Sequence, residues 1–358
     1  MSAPLKSKLA GKKIGLWFLL LFMSLSVGAL FYWAEVPAAF FVSSVICGVV
    51  FSLSGSGLSL PRRVLHCSQA LVGAAVAKSM TPEVWGALAS NWFVLVAMVC
   101  SSVLAGGLVG WSLMKSDILP GSTAAWGSSP GGAAAMVAMA DAYGADARLV
   151  ALMQYLRVLV VVLSASTVAH FLASPQPGEV THPSFSSLWQ FSGSYAFAAA
   201  SLAITVVCAF AALKLRIPAG PMLATMIVGA FLNSKGIMDF RLPGTFQILA
   251  SLLLGWFVGL GFNRSLLLSS LRKLHWLFLS AFLLIGLCAL FAWGLYRFAG
   301  CDPLTAYLAT TPGGLDSVIL IAMGSHTDVP FVVAVQTLRL FLVILTGPFV
   351  ARFICRMG

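Results

Sequence analysis

Charge is what this chain has least of. Aspartate and glutamate supply 10 of its 358 residues and lysine and arginine 21, so charged side chains make up 9% of the whole against 60% hydrophobic. So apolar a composition cannot be hidden in one water-soluble core, which leaves the bilayer as its solvent. Histidine is as thin: the five, at positions 66, 170, 182, 275 and 326, show no H-x-H or E-x-x-H spacing, so a copper or iron oxygenase site finds no ligand set. The seven cysteines form no C-x-x-C pair and read as small buried hydrophobes in a reducing setting. Long polar segments are missing too. The longest, about 174–189, contains SPQPGEVTHPS and reads as a linker, too short for a DNA-binding module. The net charge of +11 therefore does not mark a nucleic-acid partner; the basic residues cluster at the ends of apolar runs, where they act as topology signals.

What is present is a series of apolar runs near the ~20 residues that cross ~30 Å of hydrocarbon as helix. They lie near 14–33, 36–55, 64–80, 92–114 and 148–172, and again near 191–213, 217–234, 243–262, 275–299 and 331–353. Two more, 119–141 and 302–325, are interrupted. The basic start, MSAPLKSKLAGKK, has the look of a signal peptide, but the apolar run behind it is too long and lacks a small-residue cleavage site. It is expected to be a first spanning helix with a cytoplasmic basic tail, 1–13.

The chain states its central part twice. A shift of 182 positions lays Pro130-Gly131-Gly132 on Pro312-Gly313-Gly314, Gln154 on Gln336 and Arg157 on Arg339, with 11 identities in 34 positions over 130–163. The expected organisation is a first membrane repeat at 14–173, the linker at 174–189 and a second repeat at 190–358. If each broken segment dips in and returns on the same side, each half has five crossings and the halves are inverted; if it crosses, the halves are parallel. Leaving Arg157 and Arg339 aside as intramembrane, counting lysine and arginine gives 15 inside and 4 outside for the inverted arrangement, against 12 and 7 for the parallel one. Positive-inside bias favours inversion. The expected fold is an all-α polytopic membrane protein: two inverted repeats of about five transmembrane helices plus one re-entrant Pro-Gly-Gly hairpin each, with both termini cytoplasmic.

Non-helical backbone at membrane depth survives only when buried in protein or lining a wet cavity. Matching interruptions in two inverted halves point to a secondary-transport site near the midplane. The candidate solute-binding residues are Ser129, Pro130, Gly131, Gly132, Gln154 and Arg157, with Thr311, Pro312, Gly313, Gly314, Gln336 and Arg339. The two arginines lie about 13 Å inside their helices, a depth that is costly for a charge. Each pair either grips an anionic or strongly polar solute or binds the exposed carbonyls of the broken segments and staples the fold. Asp316, opposite Ala134 in the repeat, either couples an ion, pairs with Arg339, or favours the helix that starts there. Asp146 and Asp328 read as helix caps, and Gly255-x-x-x-Gly259 and the Gly106–Gly110 cluster as close helix packing.

The repeated (S/T)-P-G-G motif followed by Gln154-Tyr155-Leu156-Arg157 and Gln336-Thr337-Leu338-Arg339 resembles the AbrB family of duplicated bacterial membrane proteins over nearly the whole chain. Labels used for members, ammonia monooxygenase and regulator of gene expression, fare unequally. The first meets the scattered histidines, and the second requires an indirect effect. By fold analogy alone the design is similar to citrate-type and bile-acid-type carriers. The expectation is a secondary transporter of a small polar or anionic solute in a bacterial inner membrane, with a solute sensor that regulates gene expression indirectly as the alternative. No enzyme activity and no cofactor are expected. The partners are the solute and the lipid bilayer, and a homodimer is left open.

Overall fold

A computed structural model describes residues 3–77, 92–131, 133–172, 194–217, 219–262, 264–325 and 327–356. The linker at 174–189 and Gly132 lie outside them, as do His182 and His326. The described residues form fifteen helices and no strand. In the first half these are α1 (Ala3–Trp33), α2 (Ala39–Leu53), α3 (Arg62–Ala77), α4 (Trp92–Lys115), α5 (Gly121–Ser128), α6 (Ala133–Ala142) and α7 (Ala147–Leu172). The second half has α8 (Tyr195–Lys214), α9 (Gly220–Ser234), α10 (Gly244–Gly259), α11 (Arg264–Ser269), α12 (Leu271–Ala299), α13 (Pro303–Thr310), α14 (Leu315–Met323) and α15 (Val329–Arg356).

The duplication is visible in where helices start and stop. The bounds of α3 recur in α10, and those of α5 in α13, both shifted by 182. The approach to α2 recurs as well: Glu35 and Ala38 have φ of 55° and 53°, and Arg216 and Ala219, 181 positions later, 56° and 52°. Left-handed backbone is uncommon for such residues, so its recurrence marks one turn built twice.

Among the described residues, six helical segments are long and apolar enough to cross a membrane: Lys13–Trp33, Leu95–Lys115, Ala147–Leu172, Tyr195–Lys214, Leu271–Arg297 and Val329–Gly347. The apolar helices α2, α9 and α10 are shorter than the runs expected there, at 15 or 16 residues, because turns rich in glycine and proline trim their ends. The basic tail is not separate: residues from Ala3 onward continue into α1, with Pro4 where a helix start tolerates it.

Helices sort into two groups by packing. In one, α2 lies along α10 and α3 along α9, each a pair drawn from both halves, with α1 and α8 outside them. The Gly255-x-x-x-Gly259 expectation holds here: a Cβ on Gly259 would come within 2.5 Å of Val45 O, so the α2 and α10 backbones meet where side chains would not fit. The second group gathers α4 to α7 and α11 to α15, with Trp126 of α5 against Gly347 of α15 and Val161 of α7 against Gly313. Where the two groups face each other the packing is apolar, with Phe41, Val72 and Leu254 on one side and Val158, Leu315 and Ile319 on the other.

Candidate functional site

Each interrupted segment folds as a hairpin whose two ends lie near each other. Helices α5 and α6, at 8 and 10 residues, are about 12 and 15 Å long, and neither alone spans the hydrocarbon. At the hairpin's foot the Asp146 amide donates to Thr123 Oγ1 at 3.2 Å, so the start of α5 lies beside the start of α7. At its tip the carbonyls of Ser129 and Gly131 meet Arg157, ten residues and so about 15 Å further along α7. The second hairpin repeats this plan: Asp328 N donates to Thr305 Oγ1 at 3.1 Å, and the tip meets Arg339. Asp146 also caps α7, its Oδ1 accepting from the amides of Arg148 and Leu149, and Asp328 Oδ1 accepts from Phe331 N.

At the tips the chain must turn without a helical ladder, which leaves carbonyls that lipid cannot satisfy. Gln154 and Arg157, one turn apart on α7 and both buried, supply the missing donors. Gln154 Nε2 lies 3.0, 3.2 and 3.2 Å from the carbonyls of Trp126, Gly127 and Ser129. Arg157 donates through Nη1 to Ser129 O at 2.7 Å and through Nη2 to Gly131 O at 3.2 Å. In the second half Gln336 Nε2 reaches Leu308, Ala309 and Thr311 at 2.8, 3.3 and 3.1 Å, while Arg339 reaches Thr311 and Gly313 at 2.7 and 2.8 Å. Every acceptor in one half sits 182 positions from its counterpart in the other. The pairs therefore staple their hairpins. They also keep unused capacity: a guanidinium carries more N–H groups than these bonds take up, and Nε of both arginines and Oε1 of both glutamines are buried without partners.

The remaining candidates take their places around these staples. Ser129 and Thr311 donate their hydroxyls back to Ala125 O and Tyr307 O. Pro130 packs on α4 where Gly106 leaves room: a Cβ there would lie 2.7 Å from the proline ring, which agrees with the close packing expected of the Gly106–Gly110 cluster. Pro312 is buried, and Gly314 is the N-cap of α14 and partly exposed. Asp316 does not pair with Arg339, whose Nη atoms are on the break; it accepts instead from Gln69 Nε2 of α3 at 3.0 Å. A cavity of about 10 Å³ touches Arg157, Ser128 and Met153 on one side and Leu277 and Ser280 of α12 on the other, roughly the room of one water.

Gln69 had no signal beyond being a lone amide in an apolar run, and the acceptors outside the repeated break, the carbonyls of Trp126, Gly127, Leu308 and Ala309, have none. Among the described residues no group of three His, Cys, Asp or Glu could hold a metal ion.

Described residues that are helical throughout their regular structure, six helices among them apolar and of spanning length, and one hairpin with a stapled break in each half define a polytopic membrane protein of duplicated design. It belongs to the AbrB family: the family described as "Transition state regulatory protein AbrB" matches residues 40–355. It is similar to the "Putative regulator AbrB" of Escherichia coli K12, with 43% identity over 94% of this chain and 96% of that protein. It is also similar to the "Uncharacterized protein YhjN" of Bacillus subtilis 168, with 30% identity over 80% of this chain and 77% of that one. These names speak of a regulator rather than an enzyme. No solved structure matches the chain.

Proposed function

We propose that this chain is a secondary transporter that moves a small polar or anionic solute across a bacterial inner membrane by alternating access. The two halves are inverted in this reading, both termini are cytoplasmic, and the chain carries out no catalysis. The observation that carries it is the pair of stapled hairpins whose tips lie beside partly used guanidiniums in both halves. Irregular backbone at that depth belongs to solute pathways, and the unused Arg157 and Arg339 Nε donors and Gln154 and Gln336 Oε1 acceptors suit a polar guest. The staple and the grip are then one arrangement, with the main chain of residues 129–131 and 311–314 framing the solute. Asp316 takes the coupling ion. A cavity of about 10 Å³ corresponds to a closed state, and loading requires the first hairpin to part from α12.

A solute sensor that acts on gene expression indirectly is the second reading, favoured by the regulator name of the Escherichia coli relative. Purified protein in lipid vesicles, offered a panel of radiolabelled organic anions, separates the two. Flux that Arg157→Lys and Arg339→Lys abolish while the protein stays folded supports the carrier, and saturable binding without flux supports the sensor. Flux unaffected by either substitution would end the proposed role of the guanidiniums.

A further inference from the structure

Asp316 is the point at which the duplication departs from its own pattern. Its counterpart is Ala134, and the counterpart of its partner Gln69 is Ser251, whose hydroxyl turns back to Gln247 O of its own helix at 2.8 Å. Gln69 stands midway along α3 and is buried. Since α3 belongs to one group of helices and α14 to the other, the bond from Gln69 Nε2 to Asp316 Oδ2 crosses the seam between them, in the middle of an apolar contact. The other carboxylate oxygen, Oδ1, is buried with no donor.

An ionised carboxylate can accept several hydrogen bonds, and here it has one, from a neutral amide. Among the described residues, the elements packed on α14 bring no counter-charge to it. Helix α3 carries His66 one turn before Gln69, and Arg62 and Arg63 at its start, none of them bonded to Asp316. Helices α7 and α15 bring Arg157 and Arg339, both turned onto the breaks. Helix α13 brings Tyr307, bonded to Ser164 Oγ, and α10 has no ionisable side chain. A metal cation needs a shell of oxygen ligands, whereas a proton needs a single lone pair.

We infer that Asp316 is a proton site and that Gln69 positions it across the seam, so that proton loading turns a charge-assisted link between the two groups into a weaker neutral one. This names the coupling ion of the proposed function and rests on that reading for its use, not for the binding itself.

Infrared difference titration of the full-length protein in lipid vesicles, with protons as the only ligand, tests it. The expected result is a carboxylic C=O band that grows as pH falls, is missing from Asp316→Asn, and moves to higher frequency in Gln69→Leu because the carbonyl loses its donor. If Asp316→Asn does not fold, Asp316→Glu serves: its band leaves the set displaced by aspartate carrying heavy carbon in the carboxyl group. A spectrum unchanged by the Asp316 substitutions overturns the proton site, and a band unmoved in Gln69→Leu overturns the positioning role. Vesicles that show the titrating band but no flux would instead sink the transport reading and leave this one standing.

Discussion

Arg339 holds two carbonyls at once, which lysine, a single ammonium on a flexible stem, does not reproduce. Arg339→Lys is therefore expected to leave Gly313 O without its donor, at ~1–3 kcal/mol for a buried group, whereas Thr311 O keeps Gln336 Nε2. Arg339→Ala, which removes both guanidinium bonds and leaves a void, should cost more, and thermal unfolding in detergent gives the order. Gln336→Leu removes the shared donor to Leu308, Ala309 and Thr311 and should also lower the melting temperature. A melting temperature unchanged in all three would mean that water serves these carbonyls in place of the side chains. The arginines and glutamines could be picked out from sequence because polar residues recurring at one spacing stand out against an apolar background. Ser129, Gly131, Thr311 and Gly313 came with them through the repeated break, whereas the acceptors Trp126, Gly127, Leu308 and Ala309 did not, since a main-chain carbonyl has no letter of its own. Gln69 was passed over for a related reason: with Ser251 as its counterpart, no repetition drew attention to it.

Helix contacts sort the glycines by what surrounds them. Gly259 faces Val45 O and Gly48 Cα, at 2.5 and 2.8 Å from a built Cβ, whereas Gly286 on α12 has nothing within 4 Å. Gly259→Val must push α10 off α2 and is expected to lose ~3 kcal/mol or more, while Gly286→Ala should gain up to ~1 kcal/mol from helix propensity. Unfolding midpoints of the two variants check the contrast, and equal midpoints would contradict the close approach. The glycine spacing around 255–259 pointed to such packing from the sequence, yet the partner did not. That α10 pairs with α2 of the opposite half depends on contacts roughly two hundred residues apart, which no local pattern encodes. The hairpins were legible because Pro-Gly-Gly interrupts an apolar run twice, and the distribution of lysine and arginine favoured their return to the entry side; that the two ends of each lie together rests on Thr123 and Thr305 at their feet.

For the molecule as a whole, hairpins that return to their own side would set the crossing count and hence where the ends lie. Reporter fusions at the amino and carboxyl ends are expected to place both in the cytoplasm, and opposite placement would overturn the inverted arrangement. Alternating access is expected to work at the apolar seam, where Val158 and Ile319 meet Phe41 and Leu254. A disulfide engineered across it should stop flux without changing the melting temperature downward, and reduction should restore it. Fusing two copies of one unit into a single chain has a further effect. Two separate identical subunits must carry the same side chain at equivalent positions, so an acid in one hairpin would be an acid in both. A joined chain is free of that constraint, and at 134 and 316, alanine and aspartate, this one has used the freedom to give a symmetric frame a direction.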